Sequence, residues 1–219
     1  MNRLQPLACL SIFMMFTCIL TATVFLTGCG IKNDYTKKQM FRLYAAGNAP
    51  VDESNRSTGV PLVVKRLDIA PEFSGAGFVY RVGQSRFTQD YYNNYMTSPG
   101  RMISDVIFEA LVKSPRFTPA PTNRVPENVY QLWGKITSLY CDRRNASHVS
   151  AVVTMALNLD RLNKDGFTKE FSKIYSRQIP LGKDTSPQGY VKALNRGLAE
   201  IVQDILSDSQ NLPIPADNQ

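Results

Sequence analysis

The run Val149-Ser150-Ala151-Val152-Val153-Thr154-Met155-Ala156-Leu157-Asn158-Leu159-Asp160-Arg161-Leu162 decides the fold class. In an extended chain Ala151, Val153, Met155, Leu157 and Leu159 point to one side, and Thr154, Asn158 and Asp160 to the other. That alternation marks a strand with one face covered. Asn163-Lys164-Asp165-Gly166 follows as a hairpin turn signal. The return strand, Phe167 to Ile179, places Phe167, Phe171, Tyr175 and Ile179 on a face with Lys169, Lys173 and Arg177, the mixture expected of an edge strand. Upstream, Val129 to Tyr140 supplies a third strand, with Tyr130, Leu132, Ile136 and Tyr140 on one face and Trp133 on the other.

Outward from this meander, two helices cover the sheet. Ser186-Pro187 opens one, with a capping side chain and a proline that fits the first helical position. Tyr190, Val191, Leu194, Leu198, Ile201, Val202, Ile205 and Leu206 form its apolar stripe, opposite Lys192, Arg196, Glu200 and Asp204. Ser98-Pro99 repeats the signal before Met102, Ile103, Val106, Ile107, Ala110 and Leu111, and Pro115 ends that helix. Shorter strands are expected over Met40 to Ala45, Pro61 to Ile69, Phe78 to Gly83 and Phe117 to Ala120. The order predicts an α+β domain over residues 40–208, a mixed and mainly antiparallel sheet with two helices on one face. Residues 209–219, with two prolines, are expected to be a disordered tail.

The N-terminus has a different character. Leu7 to Leu26 is an uncharged run of 20 residues behind the single charge of Arg3, ending in Leu26-Thr27-Gly28-Cys29. A retained transmembrane helix is one reading of that length. The placement at the extreme N-terminus, the small residues and the cysteine match a bacterial lipobox better. Residues 1–28 are then a signal peptide and Cys29 carries a diacylglyceryl group and an N-acyl chain, enough to hold a protein stably on a membrane. Residues 29–39 form the lipidated cysteine and its tether.

The 219 residues hold 25 Lys and Arg against 18 Asp and Glu, a formal +7. The excess is dispersed, with no basic block beyond Lys37-Lys38, Lys65-Arg66 and Arg143-Arg144, which argues against a nucleic-acid partner and leaves anionic lipid or an acidic partner. Cys9 and Cys18 lie in the signal, so Cys141 is the one thiol left in the mature chain, too few for an internal disulfide or a cysteine metal site.

Catalytic machinery is not evident. His148 is the sole histidine, Gly83-Gln84-Ser85-Arg86-Phe87 lacks the last glycine of a nucleophile elbow, and Phe73 to Gly77 lacks the Lys-Ser/Thr ending of a phosphate loop. Asp105, Glu109, Asp160 and Asp165 fall on solvent faces. The expectation is a non-enzyme without cofactor or metal. The candidate site is the aromatic segment: Phe87, Tyr91, Tyr92 and Tyr95 with Arg86 as partner-binding residues, since rings with polar tips and arginine suit an interface. The alternative is that these rings cover the sheet end and the start of the first helix.

Cys29, Met40 to Ala45, Leu62 to Ile69, Phe78-Val79-Tyr80-Arg81 running through Tyr91-Tyr92-Asn93-Asn94-Tyr95 to Ser98-Pro99, Gly134-Lys135-Ile136, Asp142-Arg143 and the long hairpin together resemble the ABC-type transport auxiliary lipoprotein family. The resemblance implies a lipid-anchored, periplasm-facing protein of the outer membrane, beside a mammalian-cell-entry domain protein and the permease and ATPase subunits of an ABC transporter that moves lipids. Gly30, where an aspartate would mark inner-membrane retention, agrees with outer-membrane sorting. Its role would be docking, with ATP hydrolysis left to other subunits, and self-association is compatible with it. The competing expectation is an outer-membrane assembly or envelope-organising lipoprotein that partners a β-barrel.

Overall fold

Strand β7 (Val129–Asp142) is the spine of a mixed nine-stranded sheet in the computed structural model, which describes residues 37–44, 59–120, 129–210 and 212. One edge of β7 is paired along its length with the antiparallel β8 (Ser150–Asn163), from Val129 opposite Leu162 to Asp142 opposite Ser150, and β8 pairs in turn with β9 (Gly166–Pro180). The other edge is shared by three short parallel strands: β2 (Val60–Val64), β3 (Asp68–Ile69) and β4 (Gly77–Arg81). Further out, β6 (Phe117–Pro119) lies parallel to β2, β5 (Phe87–Tyr95) antiparallel to β4, and β1 (Gln39–Phe41) parallel to β5. The fold class is α+β, as the alternation of β8 and the two helical stripes predict.

Helices α1 (Pro99–Val112) and α2 (Pro187–Ser209) cover one face of this sheet. Ala151, Val153, Met155, Leu157 and Leu159 of β8 are all buried, and the α2 stripe from Tyr190 to Ile205 packs with them. Fully burying a side chain of this size contributes about 1.5–3 kcal/mol. Ser186 caps α2 as expected, its Oγ accepting from Gly189 N at 3.1 Å. Ser98 makes no such side-chain bond; its carbonyl accepts from Met102 N and Pro99 fills the first position. Among the described residues no helix is long and apolar enough to cross a membrane.

Five local differences separate the structure from the sequence expectations. The register of β7 against β8 shifts between Ile136 and Ser138, leaving Thr137 as an extra residue. Such a bulge exchanges the two faces, so Leu139 and Cys141 enter the core and Tyr140 joins the opposite face. A second shift, between Leu159 and Asp160, leaves Glu170 extra on β9 and parts Phe167 and Lys169 from the face of Phe171. The expected strand Pro61 to Ile69 is split in two because Leu67 N donates to Ser104 Oγ of α1 (2.9 Å) instead of to the sheet. The first strand is shorter than Met40 to Ala45. Finally, α2 runs through Ser209, and Leu212 packs against the core while accepting a hydrogen bond from Arg116 Nη2, so the chain stays ordered past the expected end at residue 208.

Candidate functional site

The aromatic segment is β5, and its partner β4 decides where each ring goes. Val82 N and Gly83 N donate to Arg86 O at 2.9 and 3.2 Å, closing the β4–β5 turn and placing Phe87 opposite Arg81. Both side chains lie on the sheet face that the helices leave open. Phe73, from a one-turn 3-10 helix, and Tyr140, turned outward by the Thr137 bulge, complete a cluster. Phe73 and Tyr140 stack at 5.8 Å, Phe87 meets Tyr140 edge-on at 5.6 Å, and the Arg81 guanidinium lies 5.7 Å from the Phe87 ring and 5.9 Å from Tyr140. Arg81 is steadied by donating to Gln84 O (2.8 Å), and exposed Arg86 stands at the turn beside it. A cation over rings that are half open to water is a contact that strengthens when a partner removes that water.

Beyond Gln89 the pairing breaks. Gln89 is opposite Val79 and Asn94 opposite Gly77, so the four residues Asp90 to Asn93 stand out against Phe78 alone. Asp90 holds this bulge closed. Its Oδ1 accepts from Tyr92 N (2.8 Å) and Asn93 N (3.0 Å), and its Oδ2 from Tyr80 Oη and Asn93 Nδ2, both 2.8 Å. Partial burial pushes the Asp90 carboxyl up, but the bonds from Asn93, Tyr80 and Tyr92 outweigh it and hold the group below the usual carboxylate range. The Tyr80 phenol moves the other way, raised by burial and by that same bond to Asp90. Glycine at position 77 is required by contact: a Cβ there would stand 2.4 Å from Asp90 O.

The bulge presents Tyr91 and Tyr92, whose rings meet edge-on at 5.2 Å, with Lys38 Nζ 4.0 Å from the Tyr91 centroid. Tyr91 is 67% exposed. Tyr95, in regular pairing again, is 2% exposed and turns into the core, its ring 4.7 Å from Phe78 and its hydroxyl 3.0 Å from Tyr190 Oη. Burial pushes the Tyr95 phenol well up, so it stays protonated. The five expected residues therefore divide: Phe87 belongs to the open sheet face with Arg86 at the turn beside it, Tyr91 and Tyr92 to the bulge, and Tyr95 to the interior, where it is out of reach of a partner. Cys29 lies outside the described residues. The sequence does not mark Phe73, Arg81 and Tyr140 as a cluster, because the Thr137 bulge that brings Tyr140 to the other two has no signature in β7 itself.

The other titratable groups serve the fold. His148 is exposed in a turn, its N–H donating to Asn145 O. Asp142 is bound by the Arg144 side chain, with Nη2 at 2.7 Å from Oδ2, which holds its carboxyl below the ordinary range. Arg177 pairs with Glu200 and Asp204, and Asp208 accepts from Lys173 and Tyr175, fastening α2 to β9. Cys141 is buried, and burial pushes its thiol up. Among the described residues no three His, Cys, Asp or Glu side chains are grouped to hold a metal ion.

No protein-family model matches this sequence, and no curated protein matches it. Solved structures do resemble it. Protein XCC0632 from Xanthomonas campestris, assigned to the family model DUF330, superposes with a TM-score of 0.61 at 12% identity, covering 78% of this chain and 94% of its own. A second crystal structure, of an uncharacterized protein, gives 0.61 at 14% identity over 78% of this chain and 98% of that one. At these identities the likeness is one of fold.

Proposed function

We propose that this protein is a non-catalytic, lipid-anchored, periplasm-facing subunit of an ABC/mammalian-cell-entry type envelope transport system for lipids, and that it docks the complex at the outer membrane. The observation that supports this reading is the Phe73, Phe87, Tyr140 and Arg81 cluster on the sheet face that neither helix covers, with Arg86 at its margin. Aromatic anchors topped by arginine are the composition of an interface core, and the face is open to a protein of complementary shape. Cys29 supplies the anchor and the mammalian-cell-entry protein the partner. The partner classes come from the sequence resemblance and the surface from the geometry.

The test is purification of tagged protein from native membranes in mild detergent, beside Cys29→Ala and a Phe87→Ser, Arg86→Glu double variant. Co-purification of a mammalian-cell-entry protein, reduced by the double variant, supports the proposal. Recovery of a β-barrel without any transporter component replaces it with the envelope-assembly reading.

A further inference from the structure

The edge where the chain enters the domain carries a second surface, beyond the Phe87 cluster. Among the described residues β1 pairs with β5 alone and forms an edge of the sheet. Met40 stands opposite Asn94, and Met96 N donates to Phe41 O at 2.9 Å. Strand alternation then puts Met40 and Met96 on the face away from the partly buried Phe41 and the buried Tyr95. Met40 is 65% exposed, Met96 57% and Tyr44 56%. At the far end of the same two strands, Lys38 lies over Tyr91, which packs on Tyr92.

On the two chain segments that build this edge, charge has one sign. From 37 to 44 and from 91 to 98 the sequence holds Lys37, Lys38 and Arg42 and no carboxylate. Acids stand only at its margins. Asp90 is consumed by four hydrogen bonds, and Asp105 and Glu109 line a groove with Arg42, Tyr44 and Met96 that bounds the surface on the α1 side.

Two arguments identify what covers it. Tyrosine and other side chains with an apolar body, flanked by lysine and arginine, match the interfacial layer of a bilayer, where rings sit at headgroup depth and each basic residue adds attraction to anionic lipid. The second is reach. The chain from Cys29 to Lys37 spans at most roughly 30 Å when extended, and it joins the domain at this edge. We propose that Met40, Tyr91, Tyr92 and Met96, with Lys38 and Arg42, form a surface that rests on anionic lipid, so that anchor and edge together fix the orientation of the domain and leave the Phe87 cluster to a protein. The proposal rests on the lipoprotein reading of Cys29.

The experiment uses the lipidated full-length product in phosphatidylcholine vesicles with and without phosphatidylglycerol, with bromine-labelled acyl chains as quencher. An environment-sensitive fluorophore is placed at Met96→Cys or, as control, at Phe167→Cys on the opposite edge strand. Quenching several-fold greater at position 96 than at 167, and stronger with phosphatidylglycerol, is expected. Adding Lys38→Gln should cut the phosphatidylglycerol-dependent part roughly fivefold. Equal quenching at the two positions, or none at 96 in vesicle-bound protein, overturns the proposal. The mass of the N-terminal peptide is read on the same sample: a product without acyl chains defeats the anchor reading, while the contrast between positions 96 and 167 still judges the surface.

Discussion

Tyr95 and Tyr91 stand four residues apart on one strand and have opposite fates. Around Tyr95 the strand is in register, the ring faces Phe78, and the hydroxyl meets that of Tyr190 on α2. Around Tyr91 the ladder is interrupted, the backbone is held by the Asp90 carboxylate instead of by β4, and the ring is open to solvent with Lys38 over it. Residue type does not separate them. What does is whether the neighbouring strand supplies backbone partners, because a regular ladder fixes the face on which a ring falls and a bulge releases it.

Substitutions at graded distance from the core sharpen this contrast. Tyr95→Ala opens a cavity beside Phe78 and orphans the Tyr190 hydroxyl, and should cost about 3–5 kcal/mol in denaturant unfolding; a loss no larger than that of a surface residue would break the comparison. Gly77→Ala forces a methyl group against Asp90 O. About 1–3 kcal/mol is expected from that overpacking, with exchange protection falling first at the amides of Tyr92 and Asn93.

Asp90→Ala removes the carboxylate that closes the bulge, at about 1–2 kcal/mol by analogy with a lost cap. It also alters the acid limb of stability. Because the folded Asp90 carboxyl titrates below its unfolded value, its contribution is complete above the ordinary carboxylate pKa of about 4 and is lost as pH falls through the lowered folded value. The variant should therefore converge with the parent protein in strongly acidic urea titrations and diverge above that range; a constant gap at all pH values would assign Asp90 a steric role only. Tyr91→Ser with Tyr92→Ser should change stability by no more than about 0.5 kcal/mol, which calorimetry can check against the large loss at Tyr95.

The same logic explains what the sequence made legible. The alternation of Ala151 to Leu159 and the stripe from Tyr190 to Ile205 are properties of single segments, and each appears where its period places it. The aromatic segment could be marked by composition but not divided, since Asp90 closes a bulge only because Gly77 lets its carbonyl approach from another strand. Tyr140 falls on the face opposite to the one its spacing predicts for a related reason: the extra residue at Thr137 is defined by the register of β8, not by anything within β7. Likewise the break between β2 and β3 depends on Ser104, far along the chain. Period is local, whereas register and interruption belong to pairs of segments.

Cys141 lies fully inside the sheet, its thiol kept protonated by burial. In the oxidising compartment proposed for this protein, a lone accessible thiolate would be open to mixed disulfides and to crosslinking with other exported chains. Closure of the sheet over Cys141 withdraws that reactivity. Among the described residues Cys141 is the one cysteine, so that part of the chain has no thiol pairing to complete, and burial, not disulfide exchange, keeps this thiol in place.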